Sequence, residues 1–261
     1  MRIVSICPSN TELLEYLGKT EWLVGVDDYS DWPESVNQLP RLGPDLSIDI
    51  DKVAALEPDL VLASLSVPGM EKNIEGLKEK GLPFLILNPN TLEEIGEDLV
   101  TVGKAIGIEA EARGRKEEFL QTITIYRNKA AELKDRPSLY WEWWPKPIFT
   151  PGKANWLTEI SELAGGYNIF RTETEANVKT DWDNVLERSP DHICMVWVGV
   201  KEEKMNPALV KKRPGWMEMP AIKEDRIHVL EESLYCRPSP RLLEGLKKLA
   251  ELLHPETEWR N

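Results

Sequence analysis

The chain has 261 residues and a formal net charge of −13, from 45 acidic and 32 basic side chains. This excess of acids argues against a nucleic-acid-binding surface, because phosphate contacts need clustered lysines and arginines. No window approaches the roughly 20 consecutive apolar residues of a membrane span, so no membrane insertion is expected. A chain of this length can form two lobes that each bury a core.

The N-terminal residues 1–7 form a predicted strand with no cleavable signal before it. This pattern predicts a cytoplasmic protein, or an extracytoplasmic one if the chain lacks its native export signal. The chain has three cysteines, an odd number, and they are widely spaced: Cys7, Cys194 and Cys236. Their arrangement favours buried free thiols over a disulfide framework.

Short apolar runs alternate with helical periods over the first 90 residues, and this β-α-β pattern predicts a parallel sheet. Ser9 and Glu12 have the spacing of a capping box at the start of the first helix. The predicted strands are 2–7, 22–26, 60–63 and 84–87, and the predicted helices are 11–17, 50–56 and 69–80.

Helix formers dominate the stretch that follows, with apolar residues three and four apart and one interruption around Gly107. This pattern predicts a helical connector. We therefore predict an α/β fold of two lobes with central, mainly parallel sheets joined by a long connecting α-helix. The expected bounds are 1–90 for the N-terminal lobe, 91–135 for the connector and 136–261 for the C-terminal lobe. The C-terminal lobe has predicted strands 138–144, 193–198 and 226–230 and predicted helices 155–164 and 240–253.

Catalytic signatures are missing from the sequence: it has no phosphate-binding GxxxxGK[ST] loop, no GxGxxG after the first strand, no GxSxG elbow and no HExxH helix. His192, His228 and His254 are the only histidines and lack the spacing of a zinc or catalytic site. We therefore predict no enzyme, no resident metal and no intrinsic cofactor.

Ten tryptophans make up half of the aromatic residues. Trp141, Trp143 and Trp144 cluster at the end of a predicted strand, before a proline-rich loop. Single tryptophans there would favour core packing, but three in such a place favour ligand contact. Trp182 and Trp216 are predicted to pack in the core, and Trp259 falls in a polar tail that is expected to be disordered.

Tyr29 and Trp32 lie in a polar segment directly after a predicted strand. In an open α/β sheet such loops form the ligand-binding edge. Late in the chain, Tyr235 and Arg237 lie in a segment that runs into the last helix. An arginine there can bind a carboxylate, amide or phosphate of a ligand. We therefore add these four residues to the predicted ligand contacts.

Seven stretches carry a resemblance to a known family: 2–18, 24–33, 50–63, 149–153, 165–170, 189–191 and 237–241. Together they resemble helical-backbone (class III) solute-binding proteins of metal-chelate ABC importers. The resemblance covers nearly the whole chain. Within this family the chain most resembles periplasmic cobalamin-binding proteins.

The resemblance implies capture of a corrinoid, without catalysis, in the cleft between two lobes. Tyr29, Trp143 and Arg237 match ligand-contacting positions of the family. Ser64 and Ser233 stand where cobalamin-binding proteins have a tryptophan and an acid, so the pocket chemistry differs.

The family also implies docking to an ABC permease through one acid on each lobe. Asp183 keeps the acid of the second lobe. On the first lobe Pro40 replaces the acid, and Glu34 is a candidate substitute.

Two alternatives stay open from the sequence. The first is a ferric siderophore or haem binding protein on the same fold, in which Tyr29 or Tyr235 ligates iron. The second is a cytosolic ligand-responsive regulator or enzyme that uses the fold. By analogy with the family, the chain is expected to be a monomer whose partners are a small metal chelate and a possible permease.

Overall fold

The computed structural model describes residues 1–259. The chain forms two compact units, and each contains segments that are distant in sequence. The first unit comprises residues 1–89, 93–120 and 238–241, and the second comprises 90–92, 121–237 and the residues from 242 onward. The lobe and connector bounds expected from the sequence stay a prediction.

The first unit is built on a four-stranded parallel sheet in the order β2-β1-β3-β4. All residues of β1 and β3, the two central strands, are buried, as expected when helices cover both faces of a parallel sheet. Its strands are β1 (Ile3–Ser5), β2 (Leu23–Val26), β3 (Leu60–Ser64) and β4 (Phe84–Leu87).

Helices of the first unit follow its strands. They are α1 (Pro8–Tyr16), α2 (Ile50–Ala55), α3 (Glu71–Glu79), α4 (Leu92–Ala105) and the first half of α5 (Glu109–Glu132). The predicted capping box is wrong: Cys7 is the N-cap of α1, and Ser9 lies inside the helix because Pro8 opens it one turn earlier than expected.

The second unit also has a four-stranded parallel sheet, in the order β11-β10-β5-β8. A second, antiparallel sheet has the order β6-β7-β9. The strands are β5 (Ser138–Glu142), β6 (Trp144–Pro145), β7 (Ile148–Pro151), β8 (Tyr167–Asn168), β9 (Asn177–Thr180), β10 (His192–Met195) and β11 (Ile227–Val229).

Side-chain caps begin two helices of the second unit, where Asn155 and Asp181 accept hydrogen bonds from backbone N–H groups of the first turn. A core around Tyr140, Phe170 and Trp216 supports the sheet. The helices are the second half of α5, α6 (Trp156–Leu163), α7 (Trp182–Arg188), α8 (Ala208–Lys211), α9 (Pro220–Lys223), α10 (Glu232–Tyr235) and α11 (Leu242–Leu253).

The predicted fold class is confirmed: the protein is α/β, with a parallel sheet in each unit and a 24-residue helix, α5, that contributes to both units. Within residues 1–259, no helix combines the length and apolar character needed to cross a membrane.

The C-terminal tail differs from expectation. Trp259 is 3% exposed and stacks on Tyr126 of α5, with ring centroids 5.4 Å apart and planes 11° from parallel. Lys129 donates a hydrogen bond to the carbonyl of Glu258 at 2.5 Å. The tail up to Trp259 is therefore docked on α5, because one large ring compensates for its polar neighbours.

The cysteines lie mainly in the interior. Cys7 and Cys194 are buried free thiols, as the sequence predicts, and Cys236 is a half-buried free thiol. Burial raises the pKa of Cys7 to about 11 and also raises the pKa values of Cys194 and Cys236 well above their usual range. All three therefore stay protonated at neutral pH and are poor nucleophiles.

Two histidines pair on neighbouring strands of the second unit. His192 of β10 and His228 of β11 are stacked, and Nδ1 of His192 lies 2.9 Å from Nε2 of His228. Burial, helped by the nearby His228 and Arg226, lowers the pKa of His192 to about 4. Burial also lowers the pKa of His228. The pair is therefore neutral in the folded protein at neutral pH.

This lowered pKa predicts a loss of stability in acid. In the unfolded chain His192 takes up a proton near pH 6.5, whereas in the folded protein it resists protonation until about pH 4. Stability is therefore lost as pH falls through this window. Urea unfolding at pH 7.5 and at pH 5.0 gives the drop in unfolding free energy over this range for each protein. The drop should be about 1 to 2 kcal/mol smaller in a His192→Gln variant than in the wild type. An equal loss in both proteins would contradict this origin.

Candidate functional site

In the first unit, the candidate site is the edge where the parallel strands end. The segment 27–33 follows β2 directly at this edge. Tyr29 is 51% exposed there, and Trp32 is half-buried. These two predicted contact residues therefore lie three positions apart on one loop, with part of each ring facing solvent.

Buried polar contacts hold this loop in place. The carboxylate of Asp27, which is fully buried, accepts hydrogen bonds from the N–H and the hydroxyl of Ser30, both at 3.0 Å. Arg41 donates to the carbonyls of Asp27 and Ser30 at 2.8 and 2.6 Å. Since these bonds fix the backbone on both sides of Tyr29, the loop is preorganised.

Trp32 is held by the segment 238–241, which also belongs to the first unit. The guanidinium of Arg241 lies 4.6 Å from the ring centroid of Trp32, a cation–π contact. Arg241 is 3.4 Å from the buried carboxylate of Glu12, to which the hydroxyl of Ser239 also donates at 2.5 Å. Glu12, expected to cap a helix, therefore anchors this segment instead.

In the second unit, the ends of the parallel strands again carry aromatic residues. Trp144 follows β5 and is 42% exposed, and Phe149, its cross-strand partner on β7, is 36% exposed. Trp197 follows β10, and its ring centroid lies 6.5 Å from that of Trp144. We call Trp144, Phe149 and Trp197 the aromatic platform. Directly opposed residues share a face of a sheet, so Trp144 and Phe149 lie side by side.

Trp143 lies next to the platform but is largely buried, at 8% exposure. Its ring centroid is 6.1 Å from that of Trp156, whose indole N–H donates to the carbonyl of Tyr235 at 2.8 Å. In the described part of the chain, the indole N–H of Trp143 has no hydrogen-bond partner. This nitrogen is buried from solvent, so a ligand oxygen can satisfy the donor only if the indole moves slightly toward it.

Trp141 and Tyr235, two further predicted contacts, lie in the core of the second unit. Trp141 is fully buried and its indole N–H donates to Ser161 at 2.8 Å. Tyr235 is 1% exposed, its hydroxyl donates to the carbonyl of Gly245 at 2.9 Å, and burial raises its pKa. Their contact with a ligand stays a prediction, and we leave both residues out of the contacts proposed below.

Arg237 and the two predicted docking acids differ in environment. Arg237 is half-buried and its Nε lies 3.4 Å from a carboxylate oxygen of Glu232. Glu34 opens a short 3-10 turn in the first unit, and Asp183 lies in the first turn of α7 in the second unit. Both acids are exposed, and their roles stay predictions.

A groove of about 500 Å³ lies elsewhere in the second unit, beside the end of β11. Its lining is half apolar and half charged: Val229, Leu230, Tyr235 and Leu252, with Glu202, Glu203, Glu231 and Lys248. Lys248 is paired with Glu231 at 2.6 Å. The three acids disfavour an anionic chelate as its occupant.

Sequence reasoning missed Phe149 and Trp197. Phe149 lies on a short strand that was predicted as loop, and Trp197 was assigned to the interior of a strand that ends earlier, at Met195. The available signal was position: Trp197 follows the buried strand β10, as Trp144 follows β5. In residues 1–259, no group of three or more His, Cys, Asp or Glu side chains is arranged to hold a metal ion.

The chain is similar in sequence and in structure to known proteins. A family model described as periplasmic binding protein matches residues 3–234. The chain belongs to the periplasmic binding protein family. An uncharacterized ABC transporter substrate-binding lipoprotein of Bacillus subtilis, YvrC, is 30% identical, covering 98% of this chain and 81% of that protein.

Two further relatives extend the comparison. A vitamin B12-binding protein of Yersinia pestis is 26% identical, covering 96% of this chain and 85% of that protein. The crystal structure of a possible iron-binding periplasmic solute-binding protein of Staphylococcus epidermidis matches with a TM-score of 0.83 and 26% identity, covering 97% of this chain and 98% of that one. The predicted membership of the solute-binding family is thereby confirmed.

Membership of the periplasmic binding protein family decides two earlier predictions. The prediction that the chain is not an enzyme is confirmed, because its relatives are solute-binding proteins of ABC transporters. The prediction of a cytoplasmic protein is wrong, because these relatives are periplasmic or extracytoplasmic binding proteins. The start of the chain was an unsuitable basis for inferring a compartment.

The contacts of the 27–33 loop predict a difference between two neighbouring acids. Asp27→Ala leaves the buried N–H of Ser30 without its acceptor and leaves the Ser30 hydroxyl with Thr11 Oγ1 alone, 2.8 Å away. It should lower the unfolding free energy by about 1 to 3 kcal/mol. Asp28→Ala removes an exposed acceptor from the N–H of Gly43 and should cost less than about 1 kcal/mol. Urea unfolding of both variants measures this difference. Equal costs would show that Asp27 does not hold the loop.

Proposed function

We propose that this substrate-binding protein of an ABC importer captures a corrinoid, using exposed aromatic side chains at the carboxyl ends of its parallel strands. The observation that carries the proposal is its relatedness to vitamin B12-binding proteins, at 24 to 26% identity over 96% of the chain. A corrinoid is a transported ligand in this account and not a cofactor.

The exposed aromatic residues suit such a ligand. A corrinoid has a broad ring edge with apolar and amide groups. The rings of Tyr29, Trp32 and Trp144 offer apolar faces to the ring edge, and the indole N–H of Trp143 can donate to an amide oxygen. Each ring that loses about 100 Å² of exposed area to the ligand contributes about 2.5 kcal/mol.

Charge adds a further contact in the proposed site. Arg237 is half-buried, so its guanidinium is less screened than one in open solvent. Its pairing with Glu232 holds it in a defined place. We propose that it donates hydrogen bonds to amide or phosphate oxygens of the corrinoid periphery.

An iron chelate is the second candidate ligand. Two observations favour it: the similarity to a possible iron-binding protein of Staphylococcus epidermidis and the exposed phenol of Tyr29. A tyrosine can ligate the iron of haem, and the nearby Arg241 would favour an anionic chelate. Haem and ferric siderophores are therefore the competitors in the binding experiment.

We further propose that Glu34 and Asp183 contact the permease of the importer. Both are exposed carboxylates, and they lie on different units. An acidic side chain pairs readily with arginines on a partner surface, and such contacts mainly affect the rate of association. Their removal should leave ligand affinity unchanged.

The binding prediction concerns ligand class and site together. Isothermal titration calorimetry with cyanocobalamin, cobinamide, haemin and a ferric hydroxamate should give tight binding of the corrinoids. Tyr29→Ala and Trp144→Ala should each weaken that binding about 10- to 100-fold, because each removes one apolar face. Trp143→Phe keeps an aromatic ring but removes the N–H donor, and should weaken corrinoid binding about 3- to 10-fold.

Trp22→Ala is the matched control. Trp22 is also a half-buried tryptophan of the first unit, but it lies before β2, at the amino end of the sheet. Its removal should not change affinity. Tight binding of haemin or the hydroxamate alone would replace the corrinoid with an iron chelate, and binding unaffected by Tyr29→Ala and Trp144→Ala would refute the proposed site.

A further inference from the structure

A buried ion pair lies beneath the aromatic platform. Glu142, the last residue of β5, and Arg213 are joined by two hydrogen bonds of 2.5 and 2.8 Å. Their side chains are 0% and 4% exposed. Burying two charges costs several kcal/mol of desolvation, and apolar residues of similar volume often stabilise a protein equally well. Such a pair therefore calls for a reason beyond stability.

Glu142 also accepts hydrogen bonds from one residue of the aromatic platform and from one residue of the core. One carboxylate oxygen accepts a hydrogen bond from the indole N–H of Trp197 at 3.1 Å, and the other accepts from the hydroxyl of Tyr140 at 2.9 Å. Tyr140 and Arg213 are buried and fix the carboxylate. Trp197 is half-buried, so its N–H is the one donor of this set that belongs to a partly solvent-facing ring.

Arg213 holds two more tryptophans. Its guanidinium lies 4.5 Å from the ring centroid of Trp216 and 5.2 Å from that of Trp182. The indole N–H of Trp216 donates to the carbonyl of Trp182 at 3.2 Å. The ion pair is therefore braced on its inner side by packed indoles, which makes Glu142 a rigid acceptor for Trp197.

We propose that Glu142 is a positioning residue, which fixes the ring plane of Trp197 and thereby the Trp144–Trp197 pair of the aromatic platform. This inference rests on the proposed function for its effect on binding. An indole anchored at its N–H cannot rotate freely about its side-chain bonds. The platform is then ordered before the ligand arrives, and the entropic cost of ordering it is not paid on binding.

Folding alone does not require this arrangement. Since Trp197 is partly exposed, water could satisfy its N–H at little cost. A bond to a buried carboxylate instead selects one ring orientation out of several. Such selection matters for a ligand with a broad, rigid ring edge, because a tilted indole would lose contact area along that edge.

A ligand-independent measurement tests the positioning directly. In NMR spectra of the ¹⁵N-labelled protein, the indole N–H of Trp197, assigned with Trp197→Phe, should exchange slowly with solvent. In a Glu142→Leu/Arg213→Leu variant, which removes both charges together, this N–H should exchange at least about tenfold faster, because its buried acceptor is gone. Slow exchange in the variant, or fast exchange in the wild type, would overturn the proposal.

A double-mutant cycle tests the consequence for binding. Trp197→Phe keeps an aromatic ring but has no N–H, and should weaken corrinoid binding about 3- to 10-fold. The Glu142→Leu/Arg213→Leu variant should weaken it similarly, and adding Trp197→Phe to it should cause no further loss. Additive losses would mean that the ion pair acts only on general stability and would overturn the positioning role.

The two proposals fail separately. Trp22→Phe is the control and should change neither the Trp197 exchange rate nor the affinity. If the wild type binds no corrinoid, the proposed ligand fails, while the exchange rate of Trp197 still decides whether Glu142 positions it. If the double-leucine variant does not fold, the wild-type exchange rate decides the proposal: fast exchange refutes it, and slow exchange supports it.

Discussion

Parallel pairing of the central strands is the constraint on which the rest of the structure depends. Parallel strands all end at the same edge of a sheet, so the residues that follow them must lie together there. In the first unit this brings the 27–33 loop to that edge, and in the second it brings Trp144 and Trp197 together although they are far apart in sequence. Between successive parallel strands the chain must return to the opposite edge of the sheet. The connections that do so contain the helices that bury the sheet faces.

Buried polar groups then convert a shared edge into a defined surface. Asp27 fixes the loop that bears Tyr29, Glu12 holds the segment that places Arg241 over Trp32, and Glu142 holds the indole of Trp197. Each of these carboxylates is buried with hydrogen-bond donors around it, so its desolvation cost is offset by bonds of fixed direction. Charged groups thus hold these aromatic side chains in place, while Tyr29 and Trp144 stay about half exposed to solvent.

Sequence reasoning recovered the parts of the fold that rest on long, regular patterns. Apolar runs predict every strand of the two parallel sheets except β8, and the helical pattern predicts the break between α4 and α5 near Gly107. Sequence reasoning did not recover the sheet β6-β7-β9, because these short strands carry proline and polar residues in place of a continuous apolar run. Nor could it separate the three clustered tryptophans: burial of Trp141 and exposure of Trp144 depend on packing from distant segments. The cytoplasmic prediction failed for another reason: it was based on the first residues of the sequence, which do not determine the compartment.

The central claim is that a corrinoid contacts the aromatic side chains at the carboxyl ends of the parallel strands. Hydroxyl-radical footprinting of the protein with and without cyanocobalamin, read by mass spectrometry, tests it most directly. The account predicts that cyanocobalamin lowers oxidation of Tyr29, Trp144 and Trp197 and leaves that of Trp22 unchanged. Unchanged oxidation of the first three residues, or the same change at Trp22, would contradict it.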